Sequence, residues 1–265
     1  MPFFHIFILS VVQGLTEFLP VSSSGHLVLA PKMLGIADQG VLMDVAMHVG
    51  TLFAILLYYR RDIWQIAVAI LQGRKTQNPA AQRLGFYIVI ASIPAFVFGM
   101  AIHLTFPDGI RSVAVIATTT IIFGLLMGIA DMFGRQQKTV ADVTLKTAFL
   151  IGCAQALALI PGTSRSGATM TAARFLGLTR VDAAKFSFLL GIPAMAGAGL
   201  LSFLEILKTD DPGLWQDAAT AVGLSFLAGL IAIHVMMTWL KRAGLMPFVL
   251  YRMFLGGFLL VYFVV

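Results

Sequence analysis

Apolar and polar positions along this chain sort into long hydrocarbon-like runs separated by short polar breaks, and two of the runs are themselves broken. Residues 3–19 are apolar except for His5, Ser10, Gln13, Thr16 and Glu17. Pro20 ends that run, Ser22-Ser23-Ser24-Gly25 follows, and a second short run covers 26–36. A hydrocarbon core of roughly 30 Å takes about 20 helical residues to cross, and neither half is a comfortable span. Such a pair predicts a re-entrant helix hairpin, because non-helical backbone at membrane depth survives only inside protein or beside a wet cavity. The pattern recurs where 147–160 meets Pro161-Gly162 and a further run covers 168–178. The runs 41–59, 84–104, 112–133, 184–207, 217–240 and 247–265 are each long enough to span. Within the charged segment 60–83, the stretch 63–71 predicts a helix extension or an interfacial piece. Pro94 predicts a kink rather than a helix end, and Pro107-Asp108-Gly109 a short turn.

Composition turns this pattern into a fold class. Of 265 residues, 59% are hydrophobic and 11% charged, with a mean hydropathy of +0.92. Soluble domains carry about a quarter charged residues, so the expectation is an all-α integral membrane protein. The net charge of +6 does not point to nucleic acid, since no basic run with interleaved aromatics lies outside the apolar segments. Fourteen of the eighteen Lys and Arg fall in 60–83, 134–146, 174–185 and 241–252. The opposite connections, 37–41, 105–111 and 208–217, are poor in them and include Asp210, Asp211 and Asp217. The positive-inside rule then places the basic group in the cytoplasm. Six crossings follow, with both termini outside, the first hairpin entering from outside and the second from the cytoplasm. Cys153 stands alone and is expected to be a small core residue. The first 25 residues lack a cationic n-region, so they are expected to be retained structure rather than a signal peptide.

The alternation invites a search for a repeat. Gln13, Leu15, Ser22, Ser24 and Gly25 match Gln155, Leu157, Ser164, Ser166 and Gly167 without a gap, and Leu34-Gly35 matches Leu176-Gly177 in the same register. Each half, 1–133 and 146–265, reads as one broken hairpin plus three spans, inserted in opposite directions within one membrane domain. Inverted repeats with discontinuous helices place a binding site near the midplane.

The polar residues of the two breaks are the candidate chemistry. An ionisable side chain inside an apolar run is costly and marks function by default. Gln13 and Glu17, four apart, share a helix face. Glu17 reads as a cation ligand or general base, or as a structural partner of Arg165; Gln13 reads as a second cation ligand or a hydrogen bond between helices. Ser22, Ser23 and Ser24 open the inner half-helix, where free N–H groups and the helix dipole attract anions. His26 follows one turn later, on the face of Ser22 and Ser23, as a candidate acid, base or nucleophile. His48 is a weaker candidate because Asp44 precedes it by four, and His103 and His234 read as packing or interfacial residues. In the second break Arg165 offers a planar fork suited to phosphate oxygens. Thr163, Ser164, Ser166 and Thr169 add hydroxyls, and Gly162 and Gly167 permit close backbone approach.

Gln13-Gly14-Leu15-Thr16-Glu17, Pro20-Val21-Ser22-Ser23-Ser24-Gly25-His26 and Pro161-Gly162-Thr163-Ser164-Arg165-Ser166-Gly167-Ala168-Thr169 together resemble the signatures of the bacterial undecaprenyl-diphosphate phosphatases, also called bacitracin-resistance proteins. The resemblance covers essentially the whole chain, including Phe186-Ser187-Phe188-Leu189-Leu190. Gln13 stands where this family accepts Glu or Gln. The resemblance implies hydrolysis of undecaprenyl diphosphate to undecaprenyl phosphate, the carrier lipid for cell-wall precursors. It also implies a bacterial plasma membrane location, re-entrant hairpins, a site open to the outer face, and support by a divalent cation, Mg²⁺ or Ca²⁺. Glu17, Ser23, His26 and Arg165 match the residues thought to be catalytic; Ser22, Ser24, Ser164, Ser166 and Thr169 match the surrounding motif. The partners implied are the polyprenyl diphosphate and membrane lipid, with a homodimer as the self-association to test. Ser23 or water would attack the terminal phosphorus, with His26 and Glu17 handling the proton or the metal.

Two other readings stand beside this one. A second lipid phosphatase class needs a histidine at the position of Thr171, which disfavours it. A carrier-lipid transporter or flippase would share the inverted-repeat architecture.

Overall fold

Thirteen to 29 residues per helix is the range set by the apolar runs in all but two cases, the inner halves of the two hairpins. The structure is a computed structural model and describes residues 1–35, 38–105, 112–206 and 211–263. In chain order the helices are α1 (Phe3–Phe18), α2 (Ser23–Leu34), α3 (Gly40–Tyr58), α4 (Arg60–Gln72), α5 (Pro79–Thr105) and α6 (Val113–Phe133). The second half holds α7 (Leu145–Leu157), α8 (Arg165–Phe175), α9 (Arg180–Ile206), α10 (Pro212–Leu240) and α11 (Met246–Phe263). Among the described residues there is no strand, only one bridge between Lys138 and Leu178.

Six helices, α3, α5, α6, α9, α10 and α11, are long and apolar enough to cross a membrane, as the apolar runs predict. Pro94 lies inside α5 without ending it. The stretch 63–71 belongs to the separate helix α4, which packs on α5 and leaves Trp64 and Leu71 exposed. In the second break the helix starts at Arg165, three residues before the predicted run, because the Ser164 hydroxyl caps the Gly167 N–H. The turn at 107–109, Asp210 and the side chain of His103 lie outside the described residues. Cys153 is partly exposed rather than buried.

The outer surface carries Phe86, Val97, Leu126, Phe254 and Val261, all exposed. Between such helices lipid removes most of the hydrophobic drive, so close packing of small residues does the holding. α10 lies against α1 and α3, α5 against α7, and α6 against α11. A Cβ on Gly152 of α7 would sit 2.2 Å from the Ala91 carbonyl of α5, and one on Gly14 of α1 would sit 2.5 Å from the Ala228 Cβ of α10. Gly152→Ala is therefore expected to destabilise the fold by about 1–3 kcal/mol through overpacking. The check is a lower thermal unfolding midpoint in detergent.

The charge distribution needs one correction. Arg174 and Arg252, both among the basic residues used for orientation, are fully buried. Arg174 donates to the carbonyls of Leu178, Asp131 and Gly134. Arg180 donates through Nε and Nη2 to Asp131 at 2.7 and 3.1 Å, and the Leu245 N–H joins the same carboxylate at 2.9 Å. This knot fixes the ends of α6 and α8 to the starts of α9 and α11, so Arg174 serves packing rather than loop charge. Arg252 does the same by donating to the Pro20, Thr120 and Gly162 carbonyls.

Candidate active site

Each break turns on a serine with left-handed backbone. Ser22 has φ 74° and Ser164 φ 71°, and among the described residues no other non-glycine has positive φ. A β-carbon makes that conformation cost about 1–2 kcal/mol, and such strain persists only where the surroundings over-determine it, often at functional sites. Each serine recovers a cap bond: Ser22 Oγ accepts from Gly25 N at 3.4 Å, and Ser164 Oγ accepts from Gly167 N at 3.1 Å. The sharp reversal leaves Ser23 and Arg165 as the first residues of α2 and α8.

These two residues meet at Glu17, which is only 6% exposed on the last turn of α1. Ser23 Oγ donates to Glu17 Oε2 at 2.6 Å, and Gln13 Nε2 donates to the same oxygen at 3.0 Å. Arg165 Nη2 donates to Glu17 Oε1 at 2.5 Å, and its Nη1 donates to the Ser187 carbonyl at 3.1 Å. The carboxylate and the guanidinium thus offset each other's cost of leaving water. His48 Nδ1 donates to the Asp44 carbonyl at 2.7 Å, which leaves Nε2 3.5 Å from Glu17 Oε2. Glu17, Ser23, Ser24, His48, Gln155 and Arg165 line a cavity of about 250 Å³ that also reaches Ser164 and Met195.

Not every candidate residue reaches that cavity. His26 Nδ1 donates to the Ser22 carbonyl at 2.7 Å, so the neutral ring accepts at Nε2 from the Tyr251 hydroxyl at 2.6 Å. Its ring also stacks on Tyr251, with centroids 5.8 Å apart. Both ring nitrogens are therefore engaged away from Glu17, Ser23 and Arg165. Thr169 donates to the Arg165 carbonyl at 2.8 Å and shares a 2.6 Å bond with Ser187 Oγ. Its hydroxyl ties the first turn of α8 to α9. Gly162, with φ 87°, allows close approach to α6: a Cβ there would sit 2.2 Å from Thr119 Oγ1. Ser166 donates to the Leu19 carbonyl at 3.2 Å and pairs with Ser164, joining one break to the other. Thr163 is fully buried, with an unpartnered hydroxyl.

Three contributors carry no motif that would have flagged them. Arg252 on α11 donates to the carbonyls of Pro20 at 3.2 Å, Gly162 at 3.0 Å and Thr120 at 3.0 Å. It clasps both breaks to α6 from a position counted as loop charge. Tyr251 beside it holds His26. Gly191 on α9 leaves room for the arginine fork, since a Cβ there would lie 2.0 Å from Arg165 Nη1. Gly191→Ala is expected to lower turnover about 100-fold by displacing that fork, as an Å-scale misplacement does. Kinetics on the folded variant check it, and unchanged turnover would show that the fork position is not critical.

For a divalent cation, no three His, Cys, Asp or Glu side chains converge among the described residues. Glu17 and the buried, unpartnered Oε1 of the neighbouring Gln13 are nonetheless hard oxygen ligands. They fit an ion such as Mg²⁺, which commonly binds through one or two carboxylates plus phosphate oxygens and water. Bound there, such an ion would neutralise phosphate charge.

Residues 6–258 match the family model described as bacitracin resistance protein BacA. The chain is also 45% identical over 261 residues to an undecaprenyl-diphosphatase of Alteromonas mediterranea, covering 98% of each protein. It is 47% identical over 272 residues to an undecaprenyl-diphosphatase of Maricaulis maris, covering all of both.

Proposed function

Because the chain belongs to the BacA family of bacitracin resistance proteins, we infer that it hydrolyses undecaprenyl diphosphate to undecaprenyl phosphate and inorganic phosphate, recycling the carrier lipid for cell-wall synthesis. It is a multi-pass membrane protein with six apolar helices. The observation that carries the chemistry is the direct contact of Ser23, Glu17 and Arg165, drawn from the two breaks into one cavity.

In the proposed mechanism the terminal phosphate enters between Ser23 and Arg165. Its negative charge competes with Glu17 for the guanidinium, so the fork swings to the phosphate oxygens and leaves the carboxylate free. Ser23 Oγ attacks the terminal phosphorus as its proton passes to Glu17 Oε2. The bond to the bridging oxygen breaks, and Glu17 gives the proton to the departing undecaprenyl phosphate. The restored carboxylate then takes a proton from the water that attacks the phosphoserine, and the serine oxygen is reprotonated as inorganic phosphate leaves. Phosphoryl transfer rests mainly on positioning and charge stabilisation, which the two half-helix N-termini and Arg165 supply. Ser22, Ser24 and Ser164 line or shape the diphosphate pocket. His26 acts in this scheme as a positioning residue that holds the start of α2. His26→Gln is expected to lower turnover about 10–100-fold without changing the shape of the pH profile, a scale set by displacement of a reacting group. Loss of one limb of that profile would return His26 to proton transfer.

The finer architecture belongs to the same proposal. Halves 1–133 and 146–265 form inverted repeats with re-entrant hairpins, both termini outside and the site open to the outer face. Positive φ and a serine cap bond at both Ser22 and Ser164, 142 residues apart, support it. The same offset pairs Ser23 with Arg165, so the nucleophile and the phosphate clamp occupy equivalent places. A wider apolar cleft of about 400 Å³ between α3, α9 and α10 shares Val45 with the polar cavity and suits the prenyl chain. A divalent cation, Mg²⁺ or Ca²⁺, held by Glu17 and Gln13, and a homodimer are further parts of the proposal.

The decisive experiment uses protein purified in detergent, where no compartments exist. Cation-dependent phosphate release from undecaprenyl diphosphate is the expected result. Binding without release, together with lipid movement in vesicles, would favour a flippase instead.

A further inference from the structure

We propose that Gln155 is a phosphate-binding residue of this site, its side-chain amide contacting the terminal phosphate directly. The inference rests on the diphosphatase reading and adds a ligand to it. Gln155 sits on α7, is 2% exposed and lines the polar cavity with Glu17, Ser23 and Arg165. Among the described residues, neither its amide nitrogen nor its amide oxygen has a hydrogen-bond partner.

A buried unpaired amide costs about 1–3 kcal/mol, and in a native structure such a group calls for an explanation. The repeat supplies one. Gln13, the equivalent of Gln155, donates to Glu17 four residues on. Four residues after Gln155 the chain has Leu159, which lines the same cavity. The second half therefore keeps the amide and lacks its carboxylate, which leaves the amide free for a ligand between the halves. An amide suits a phosphate there because its N–H₂ donates to ionised oxygens while its C=O accepts from a P–OH. Arg165, by contrast, can only donate.

The test compares Gln155→Leu and Gln155→Glu with the unaltered protein in detergent, using undecaprenyl diphosphate. Gln155→Leu keeps the volume and removes an unsatisfied polar group, so its unfolding midpoint should match or exceed that of the unaltered protein. Its kcat/KM should fall about 10–100-fold, the scale of one lost hydrogen bond to a charged group. Gln155→Glu adds negative charge beside the phosphate; KM should rise at pH 8 and recover toward pH 5 as the carboxyl protonates. Unchanged kcat/KM in Gln155→Leu would overturn the inference. A lower unfolding midpoint in that variant would also overturn it, because the amide would then have been serving the fold. Failure of the unaltered protein to release phosphate would strike the diphosphatase reading itself.

Discussion

Arg165→Ala is expected to lower phosphate release by about 10³–10⁵, the range seen when a charge-stabilising arginine is lost from phosphoryl transfer. The same change strands the Glu17 carboxylate, which sits against the guanidinium in a nearly closed site. Removing one partner of a buried pair costs about 3–5 kcal/mol, so a loss of activity alone would not separate catalysis from folding. Glu17→Gln in the Arg165→Ala background removes the stranded charge. The double variant is expected to regain thermal stability and to stay inactive. Because Glu17→Gln also removes the proposed base, the double variant reports on stability alone. Activity is read from Arg165→Ala assayed below its own unfolding midpoint; near-normal turnover of that folded protein would overturn the phosphate clamp. Arg165→Lys should also be poor, because a point charge replaces a fork that engages Glu17 and the Ser187 carbonyl at once.

Glu17→Gln and Ser23→Ala form the second large prediction. The 2.6 Å bond between them joins the proposed nucleophile to its base, and general-base assistance is worth about 10²–10⁴ in rate. Each single variant is expected to lose at least that much turnover. Groups that act in one step are strongly non-additive, so the double variant should be no worse than Ser23→Ala alone. Rate losses that multiply would separate the two residues into different steps. Brief quenching of the unaltered protein with labelled substrate should trap a phosphoserine at position 23. If none forms under single-turnover conditions, water is the attacking group and Ser23 only positions the phosphate.

Much of this site is legible in the sequence. The six long helices follow from apolar run length, a local property, and they fall where the hydropathy places them. The breaks follow from Pro20, Pro161 and the Ser-Gly clusters, which cannot continue a membrane helix. Glu17 and Arg165 stood out because a charge in an apolar run is costly, and the pairing of the two was one of the readings open from the start. Other features were hidden for equally physical reasons. Whether His26 faces Ser23 depends on its rotamer and on a tyrosine 225 residues away. Arg174 and Arg252 look like loop charge, yet they are sealed inside by backbone carbonyls that no sequence pattern displays. Gly191 matters only because an arginine from another helix lies across it.

The sequence by itself determined that this chain is a helical membrane protein, that two of its helices are broken, and which residue types stand at the breaks. Those properties depend on residues near one another in the chain. The tertiary structure alone decided which side chains share the cavity. It brought Ser23 and Arg165 to one carboxylate, left Gln155 facing them without a partner, and turned His26 and Thr169 away. That selection depends on how each helix is rotated about its axis and on what packs across from it, and residues far apart in the chain set both.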